Sequence, residues 1–157
     1  MYQLSYPARL SPEAKGYFTV RFPAVPEAIT SGRNLRAALS EAADCLSVAP
    51  AGRITDGADI TIPSRPRKGQ YLVQVPLYLA RKIGLYSALR ERSMNNSQLA
   101  RRLNVSETVV RRLLNPRHDS KPEKIQAALE AFGKRLVVTC GARFSVQRRT
   151  SFRRGLP

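Results

Sequence analysis

The chain has 157 residues, of which 43% are hydrophobic, and a formal net charge of +16 at pH 7. This composition predicts a globular protein with one medium domain or two small ones. No run approaches the ~18 apolar residues that span a bilayer, and the N-terminal sequence MYQLSYPARL lacks the basic and apolar regions of a signal peptide. We therefore expect a cytoplasmic protein that has no membrane partner.

Positive charge is concentrated in the second half of the chain. Residues 1–63 hold six basic and six acidic side chains, whereas residues 64–157 hold 21 basic and five acidic ones. Such a separation marks the second half as the part that faces a polyanion. Because no amphipathic membrane helix accompanies the charge, DNA or RNA is the expected partner.

The first residues are predicted to form a β-hairpin and a loop. LSYPARL (4–10) and GYFTVRF (16–22) are short, rich in β-branched and aromatic residues, and partly alternating. This pattern is typical of paired strands. FPAVPEAITSG (22–32) contains two prolines and a glycine, so we predict a loop that ends in a short edge strand.

A helix and a connector follow this loop. The helix is predicted from the apolar stripe Leu35, Leu39, Ala42 and Leu46. Asn34 is its expected N-cap. Residues 49–69 are turn-rich and predict a connector, and PSRPRKG (63–69) is the candidate domain boundary because prolines fix an extended shape and charge opposes burial. YLVQV (71–75) is predicted to be the last strand of the first domain.

The second half is predicted to be helical, with one helix in 76–93, two in 96–116 and one in 121–133. RLVVTC (135–140) predicts a short strand, and we expect Leu136–Thr139 to contribute to a dimer interface because a lone strand needs a partner. Residues 141–157 hold five arginines, no acid and little periodicity, which predicts a disordered basic tail.

Within the second half, Asn96 to Asn115 has the residue pattern of a helix-turn-helix, in which two helices cross closely over one turn. Ala100 supplies the small residue, Asn104 tolerates the positive φ of the turn, Val105 fills the turn and Ser106 caps the second helix. The side chains expected to face inward are Leu99, Leu103, Val110 and Leu113.

The outward side chains of this segment are the predicted DNA interface. We expect Thr108 and Arg111 to read base edges in the major groove, where arginine pairs bidentately with guanine. Ser106 and Glu107 complete the start of the second helix, although a carboxylate repels phosphate unless it accepts from a cytosine. Phosphate contacts are predicted for Ser97, Gln98, Arg101, Arg102, Arg112 and Arg117. The alternative is a solvated basic helix pair without a DNA role.

Catalytic chemistry has little support in the sequence. Nuclease chemistry of the RNase H type needs several carboxylates around two metal ions. Glu41 and Asp44 share a predicted helix face but have no strand-borne acid to meet them. Cys45 and Cys140 lack metal-ligand spacing and are interpreted as core residues. We therefore predict no catalytic residue, no metal and no cofactor.

The order of these elements resembles the HicB family of antitoxins from bacterial type II toxin–antitoxin systems. The resemblance extends from Tyr2 to Val138. It rests on GYFTVRFPAVPEAITSGRNLRAALSEAADCL, IPSRP, KIGLYSALRE, SQLARRLNVS and KIQAALEAFGKRLVV, taken in this order.

The resemblance implies an α+β fold, in which a partial RNase H-like sheet-and-helix domain precedes an all-α helix-turn-helix DNA-binding domain. The expected division is 1–75 for toxin binding, 76–140 for DNA binding and 141–157 for the tail. It also implies a HicA-type ribonuclease toxin and double-stranded operator DNA as partners, and a homodimer or higher oligomer. The competing hypothesis is a repressor without a toxin, whose first domain serves oligomerisation.

Overall fold

The computed structural model describes residues 4–137 and 144–146, which form an α+β fold as predicted. Its strands are β1 (Ser5–Pro12), β2 (Phe18–Phe22), β3 (Val25–Gly32), β4 (Tyr71–Gln74) and β5 (Phe144–Val146). Its helices are α1 (Leu35–Thr55), α2 (Leu77–Glu91), α3 (Asn96–Leu103), α4 (Glu107–Leu114) and α5 (Pro122–Glu130). The strands make one antiparallel sheet in the order β3-β2-β1-β4-β5, and α1 packs against it.

The predicted hairpin of β1 and β2 is confirmed. The two strands pair antiparallel, with Leu10 opposite Val20. Their loop contains the 3-10 turn Ala14–Gly16, in which Lys15 and Gly16 have φ angles of 57° and 78°. Val20 is completely buried under α1 and the rest of the core, so the alternation of the sequence reports the buried face of the sheet correctly.

The edge strand predicted at the end of residues 22–32 is confirmed as β3, but it is longer than predicted. It occupies Val25–Gly32, and only a two-residue turn separates it from β2. β3 is an outer strand of the sheet, which is where Pro26 is tolerated because proline has no backbone N–H to donate to a neighbouring strand. Gly32 closes the strand against α1. A Cβ atom at this glycine would lie 2.2 Å from the backbone nitrogen of Ala38, so the close approach requires glycine.

α1 begins where predicted and ends later than predicted. The side chain of Asn34 accepts a hydrogen bond of 2.8 Å from the backbone N–H of Ala37, which confirms the N-cap. The predicted connector is wrong over residues 49–55, which are helical. Pro50 and Ile54 are buried and continue the apolar stripe at a spacing of four residues. Their burial offsets the cost of a proline inside a helix, about 3 kcal/mol.

Residues 56–70, here called the strap, have neither helix nor strand and bind to both halves of the molecule. The hydroxyl of Tyr6 donates to the carbonyl oxygen of Thr61 at 3.0 Å, and that of Tyr86 donates to the carbonyl oxygen of Ala58 at 2.9 Å. The predicted domain boundary lies inside this strap. Buried side chains of the sheet, of α1 and of the later helices belong to one contiguous core.

The end of the chain differs from its prediction. Residues 135–137 are not a strand, and the other residues of the predicted strand, 138–140, lie outside the described part of the chain. The prediction of disorder throughout the tail is wrong for Phe144–Val146, which form β5 and place Phe144 opposite Val73 of β4. Without β5, β4 would present an unpaired edge. The remaining tail residues lie outside the described residues.

Candidate nucleic-acid interface

α3 begins with a reciprocal pair of hydrogen bonds. The side-chain oxygen of Asn95 accepts from the backbone N–H of Gln98, and the side-chain oxygen of Gln98 accepts from the backbone N–H of Asn95, both at 2.8 Å. This capping box satisfies N–H groups that a helix start otherwise leaves free. Gln98 was predicted to donate to a phosphate, and its amide NH₂ group is the donor suited to that role.

The turn between α3 and α4 has the conformation that the sequence predicts. Asn104 adopts the left-handed conformation, with φ 52° and ψ 47°. The Ser106 side chain caps α4 by accepting a hydrogen bond of 3.4 Å from the backbone N–H of Val109. Val105 is 39% exposed, so the prediction that its side chain fills the turn is wrong.

The inward faces of α3 and α4 are also as predicted. Leu99 and Val110 are completely buried, Ala100 and Leu113 are each 5% exposed, and Leu103 is half-buried. Spacings of three and four residues place these side chains on one face of each helix. Their packing holds the two short helices together and turns the polar faces outward.

The outward faces carry most of the predicted DNA-contacting side chains. Within the described residues, Arg101, Arg102 and Arg112 of the two helices make no ion pair, and neither does Arg117 of the loop after α4. The side chains of Gln98, Ser106 and Thr108 are exposed, and those of Ser97 and Glu107 are half-buried. This face therefore has uncompensated positive charge, which favours contact with a polyanion. Which of these groups contacts DNA stays a prediction.

Arg111, the predicted base reader, is held by a carboxylate. Its Nη2 donates to Oε1 of Glu107 at 2.6 Å, and the Ser97 hydroxyl donates to Oε2 of the same carboxylate at 2.5 Å. The hydrogen bond from Ser97, followed by the bond and charge of Arg111, holds the pKa of Glu107 below its usual value. Glu107 thus links the start of α3 to α4 and orients the arginine.

Lys82 of α2 is buried beneath the end of α4. Its Nζ donates to the carbonyl oxygens of Leu113 at 2.9 Å and Arg112 at 3.2 Å, and to the Ser120 hydroxyl at 2.6 Å. A cation at these carbonyls complements the negative end of the helix dipole. Burial, together with the positive charge of Arg81, lowers the pKa of Lys82 to about 8. The position of α4 therefore depends on a buried ammonium.

Sequence reasoning misses the roles of Lys82 and Glu107, although both have a signal. Lys82 follows Leu79 by three residues and precedes Tyr86 by four, which places it on the apolar stripe of α2. Glu107 precedes Arg111 by four residues, the spacing of a helical ion pair. The sequence does not indicate that Lys82 meets the carbonyls of α4, because that contact joins distant segments.

Groups with possible catalytic chemistry are dispersed in the described residues. No three His, Cys, Asp or Glu side chains of 4–137 lie close enough to hold a metal. Glu41 and Asp44 are exposed on α1, and Cys45 is half-buried, which raises the pKa of its thiol. Cys140 lies outside the described residues. Across the same part of the chain, the helices are too short or too polar to cross a membrane.

Comparison with known proteins identifies the family. Residues 5–84 match a family described as "HicB_like antitoxin of bacterial toxin-antitoxin system". Antitoxin HicB of Escherichia coli (strain K12) is 32% identical over 133 residues, which cover 85% of this chain and 96% of that protein. Antitoxin HicB 2 of Photorhabdus laumondii is 33% identical over 133 residues, 85% of this chain and 94% of its own length. Antitoxin HicB of Pseudomonas fluorescens is 31% identical over 119 residues, 75% and 82% of the two lengths. The chain belongs to the HicB-like antitoxin family of bacterial toxin–antitoxin systems.

Proposed function

We propose that this antitoxin binds and neutralises a HicA-type mRNA-cleaving toxin and represses its own operon by sequence-specific DNA binding. The observation that carries the DNA part is the outward face of α3 and α4, where arginines lie without ion pairs on either side of a capped turn with a left-handed Asn104. The toxin part is supported by the family match over residues 5–84, which include the whole sheet region before β5. Residues 1–75 are the proposed toxin-binding region and 76–140 the proposed DNA-binding region.

In the proposed complex, α3 and α4 act as a helix-turn-helix, and α4 lies in the major groove. Thr108 and Arg111 face the bases, and Glu107 holds the Arg111 guanidinium in position before DNA arrives. Arg101, Arg102, Arg112 and Arg117 contact phosphates and set the register, as do Ser97 and Gln98. A homodimer or higher oligomer would place two such helices on half-sites about 34 Å apart.

The proposed mechanism involves binding alone, without a catalytic residue, a metal or a cofactor. Glu41 and Asp44 are exposed on α1, and no third His, Cys, Asp or Glu lies close enough to form a metal site with them in the described residues. This supports the proposal, because nuclease chemistry of the RNase H type needs several carboxylates that converge on two metal ions. An operator-bound protein acts where bacterial DNA lies, so the proposed location is the cytoplasm.

A second candidate is a repressor that has no toxin partner and uses its sheet for oligomerisation. The observation in its favour is β3, an eight-residue outer strand that is hydrogen-bonded on one side to β2. Its Ile29 side chain is 53% exposed. An open strand of this length can pair with a second copy of the chain.

The two candidates are separated by co-expressing the full chain with the small reading frame adjacent to its gene. We expect the two products to elute together. The double variant Arg101→Gln/Arg102→Gln should still elute with the product of the adjacent reading frame but should no longer bind operator DNA. The control Arg33→Gln/Arg36→Gln removes the same charge from exposed positions of the sheet region and should keep the operator shift. Operator binding without co-elution would favour the repressor, and equal operator binding by both variants would contradict the DNA interface.

A further inference from the structure

A cleft of about 690 Å³ lies between the C-terminal half of α1, the start of α2 and the loop that joins α4 to α5. One part of its wall is apolar, with Val48 70% exposed and Tyr78 48% exposed. The basic side chains in its wall are Arg81, Lys82, Arg117 and His118. Arg117 is the only one of these that belongs to the proposed DNA interface, so most of the cleft has no assigned role.

Arg81 has unused hydrogen-bonding capacity in this cleft. Its side chain is 10% exposed, yet none of its five N–H donors makes a hydrogen bond within the described residues. Its Nε is shielded and has no partner. The nearest carboxylate oxygen, Oδ1 of Asp119, lies 3.6 Å from Nη2, too far for a hydrogen bond. A buried donor without an acceptor destabilises the fold, so an incoming acceptor would be bound favourably.

The charge around Arg81 also favours an anion. Lys82 is the next residue in the chain and is 1% exposed. Its ammonium group donates hydrogen bonds to two carbonyl oxygens and one hydroxyl, none of which carries a charge. The carboxylates of the cleft wall, Asp56 and Asp119, are both exposed to solvent. Two adjacent buried cations therefore face the cleft region without a buried counter-ion, an arrangement that an oxyanion would neutralise.

We propose that the cleft binds a small organic anion whose carboxylate or phosphate group takes the free donors of Arg81 and whose apolar part packs against Val48 and Tyr78. Guanidinium is suited to both head groups because its N–H donors match two oxygens at once. Asp119 is the internal competitor for the same guanidinium, since its carboxylate is the one closest to Nη2.

The position of the cleft connects this ligand to α4, a consequence that rests on the proposed function. Lys82 bonds to the last carbonyls of α4, and His118 follows that helix and lies 3.1 Å from the Ser120 hydroxyl. A bound anion would contact the same loop and so fix the end of the proposed DNA-reading helix. By linkage, the anion and the operator then change each other's affinity by the same factor.

The site is tested by NMR on the full chain labelled with ¹⁵N, without DNA. Phenyl phosphate, benzoate and inorganic phosphate are titrated separately at constant ionic strength. We expect saturable shifts of the Arg81 Nε–Hε signal and of the backbone amides of Gly52 and His118. Phenyl phosphate should bind more tightly than inorganic phosphate because only the former fills the apolar wall. Preference for benzoate over phenyl phosphate, or the reverse, identifies the head group.

Two variants should change the affinity for phenyl phosphate in opposite directions. Arg81→Gln should weaken phenyl phosphate about tenfold or more, the loss of one hydrogen-bonded charge. Asp119→Asn removes the competing carboxylate from a fully exposed position and should strengthen binding. Arg92→Gln removes an exposed arginine at the end of α2 and should change nothing. If Arg81→Gln does not fold, Asp119→Asn still decides, since unchanged or weaker binding by it overturns the site.

Three further results would overturn the proposal. Non-saturating shifts spread equally over exposed arginines would mean general charge screening, and equal affinity for phenyl phosphate and inorganic phosphate would remove the apolar contact. Shifts caused by a DNA duplex but by none of the three anions would make the cleft part of the DNA surface. Operator affinity unchanged by saturating phenyl phosphate would reject the coupling to α4 and leave the anion site standing.

Discussion

Arg53 near the end of α1 and Arg102 near the end of α3 are placed in different electrostatic settings. Arg53 makes two hydrogen bonds to the carboxylate of Glu27, at 2.5 and 2.8 Å, and a third of 3.2 Å to the Thr61 hydroxyl. Arg102 is exposed and has no ion pair within the described residues. The first arginine joins α1, β3 and the strap, whereas the second is available to an external anion. Arg53 therefore stabilises the fold, whereas the charge of Arg102 remains available to bind a partner.

The largest expected effect tests whether the sheet region and the helical region unfold together. Leu46 of α1 and Leu99 of α3 are both completely buried, so Leu46→Ala and Leu99→Ala should each cost about 2–5 kcal/mol of unfolding free energy. Because the core is contiguous, we expect amide signals of β2 and α4 to disappear at the same urea concentration in both variants. Loss of α4 signals alone in Leu99→Ala would show two independent units.

Lys82→Met tests the buried ammonium that supports α4. It leaves three oxygen acceptors without their donor, and we expect a loss of about 1–3 kcal/mol at neutral pH, measured by urea unfolding. Since the pKa of Lys82 falls from 10.5 to about 8 on folding, the unfolded chain binds more protons between these values. The stability that Lys82 contributes therefore rises as pH increases from about 8 to 10.5.

The Lys82→Met variant also supplies the control for this pH dependence. Burial raises the pKa of Cys45 above 9.0 and that of Tyr6 to about 12, so both groups reduce stability at high pH. Their effect is common to the two proteins and cancels in the difference. A gap between native protein and variant that stays constant from pH 8 to 10 would contradict the buried cation.

Arg111→Ala and Arg102→Ala test the roles assigned within the helical region. Arg111→Ala should reduce discrimination between operator and unrelated duplex by about 1–3 kcal/mol, because a base contact is lost. Arg102→Ala should weaken all duplexes alike and reduce the salt slope by about one. Titrations at several salt concentrations measure both quantities. Equal changes in discrimination would remove the distinction between base reader and phosphate contact.

Glu107→Gln tests whether the acid on the proposed DNA face restrains binding. Removal of a negative charge beside the phosphates should raise affinity for any duplex, by up to about tenfold at low salt. Discrimination should fall because Arg111 loses the carboxylate that orients it. The test compares operator and unrelated duplexes at one salt concentration. A fall in affinity for both would instead indicate that Glu107 accepts a hydrogen bond from DNA.

Glu27→Gln should have the smallest effect. Glu27 is an arginine-paired acid of the sheet region, so this variant is the matched control for Glu107→Gln. Glu27 is 44% exposed, so loss of its ion pair with Arg53 should cost at most about 1 kcal/mol, and DNA affinity should not change. The hydrogen bond from Arg53 lowers the pKa of Glu27 below 4.5. Its contribution is therefore present above pH 4.5 and disappears as pH falls through the folded value. Urea midpoints at pH 7 and pH 3 measure the difference.

The helix pair could be predicted from the sequence because its determining contacts are local. The cap of Ser106 on Val109 and the left-handed turn at Asn104 depend on residues at most a few positions apart. The same holds for the N-cap Asn34 of α1. Side-chain type and spacing are sufficient to predict such contacts, and Val105 is the residue for which this reasoning fails.

Tertiary structure decided the features whose partners are distant along the chain. β5 forms because β4 offers it an open edge, and no periodicity within residues 141–157 contains that information. Pro50 remains helical because its burial offsets its local cost. The same dependence explains Lys82 and Arg81, since basic side chains on a helix predict solvent exposure until the neighbouring elements are in place. The sequence determined the family and the outward charge of α3 and α4, and long-range packing decided which cations became buried.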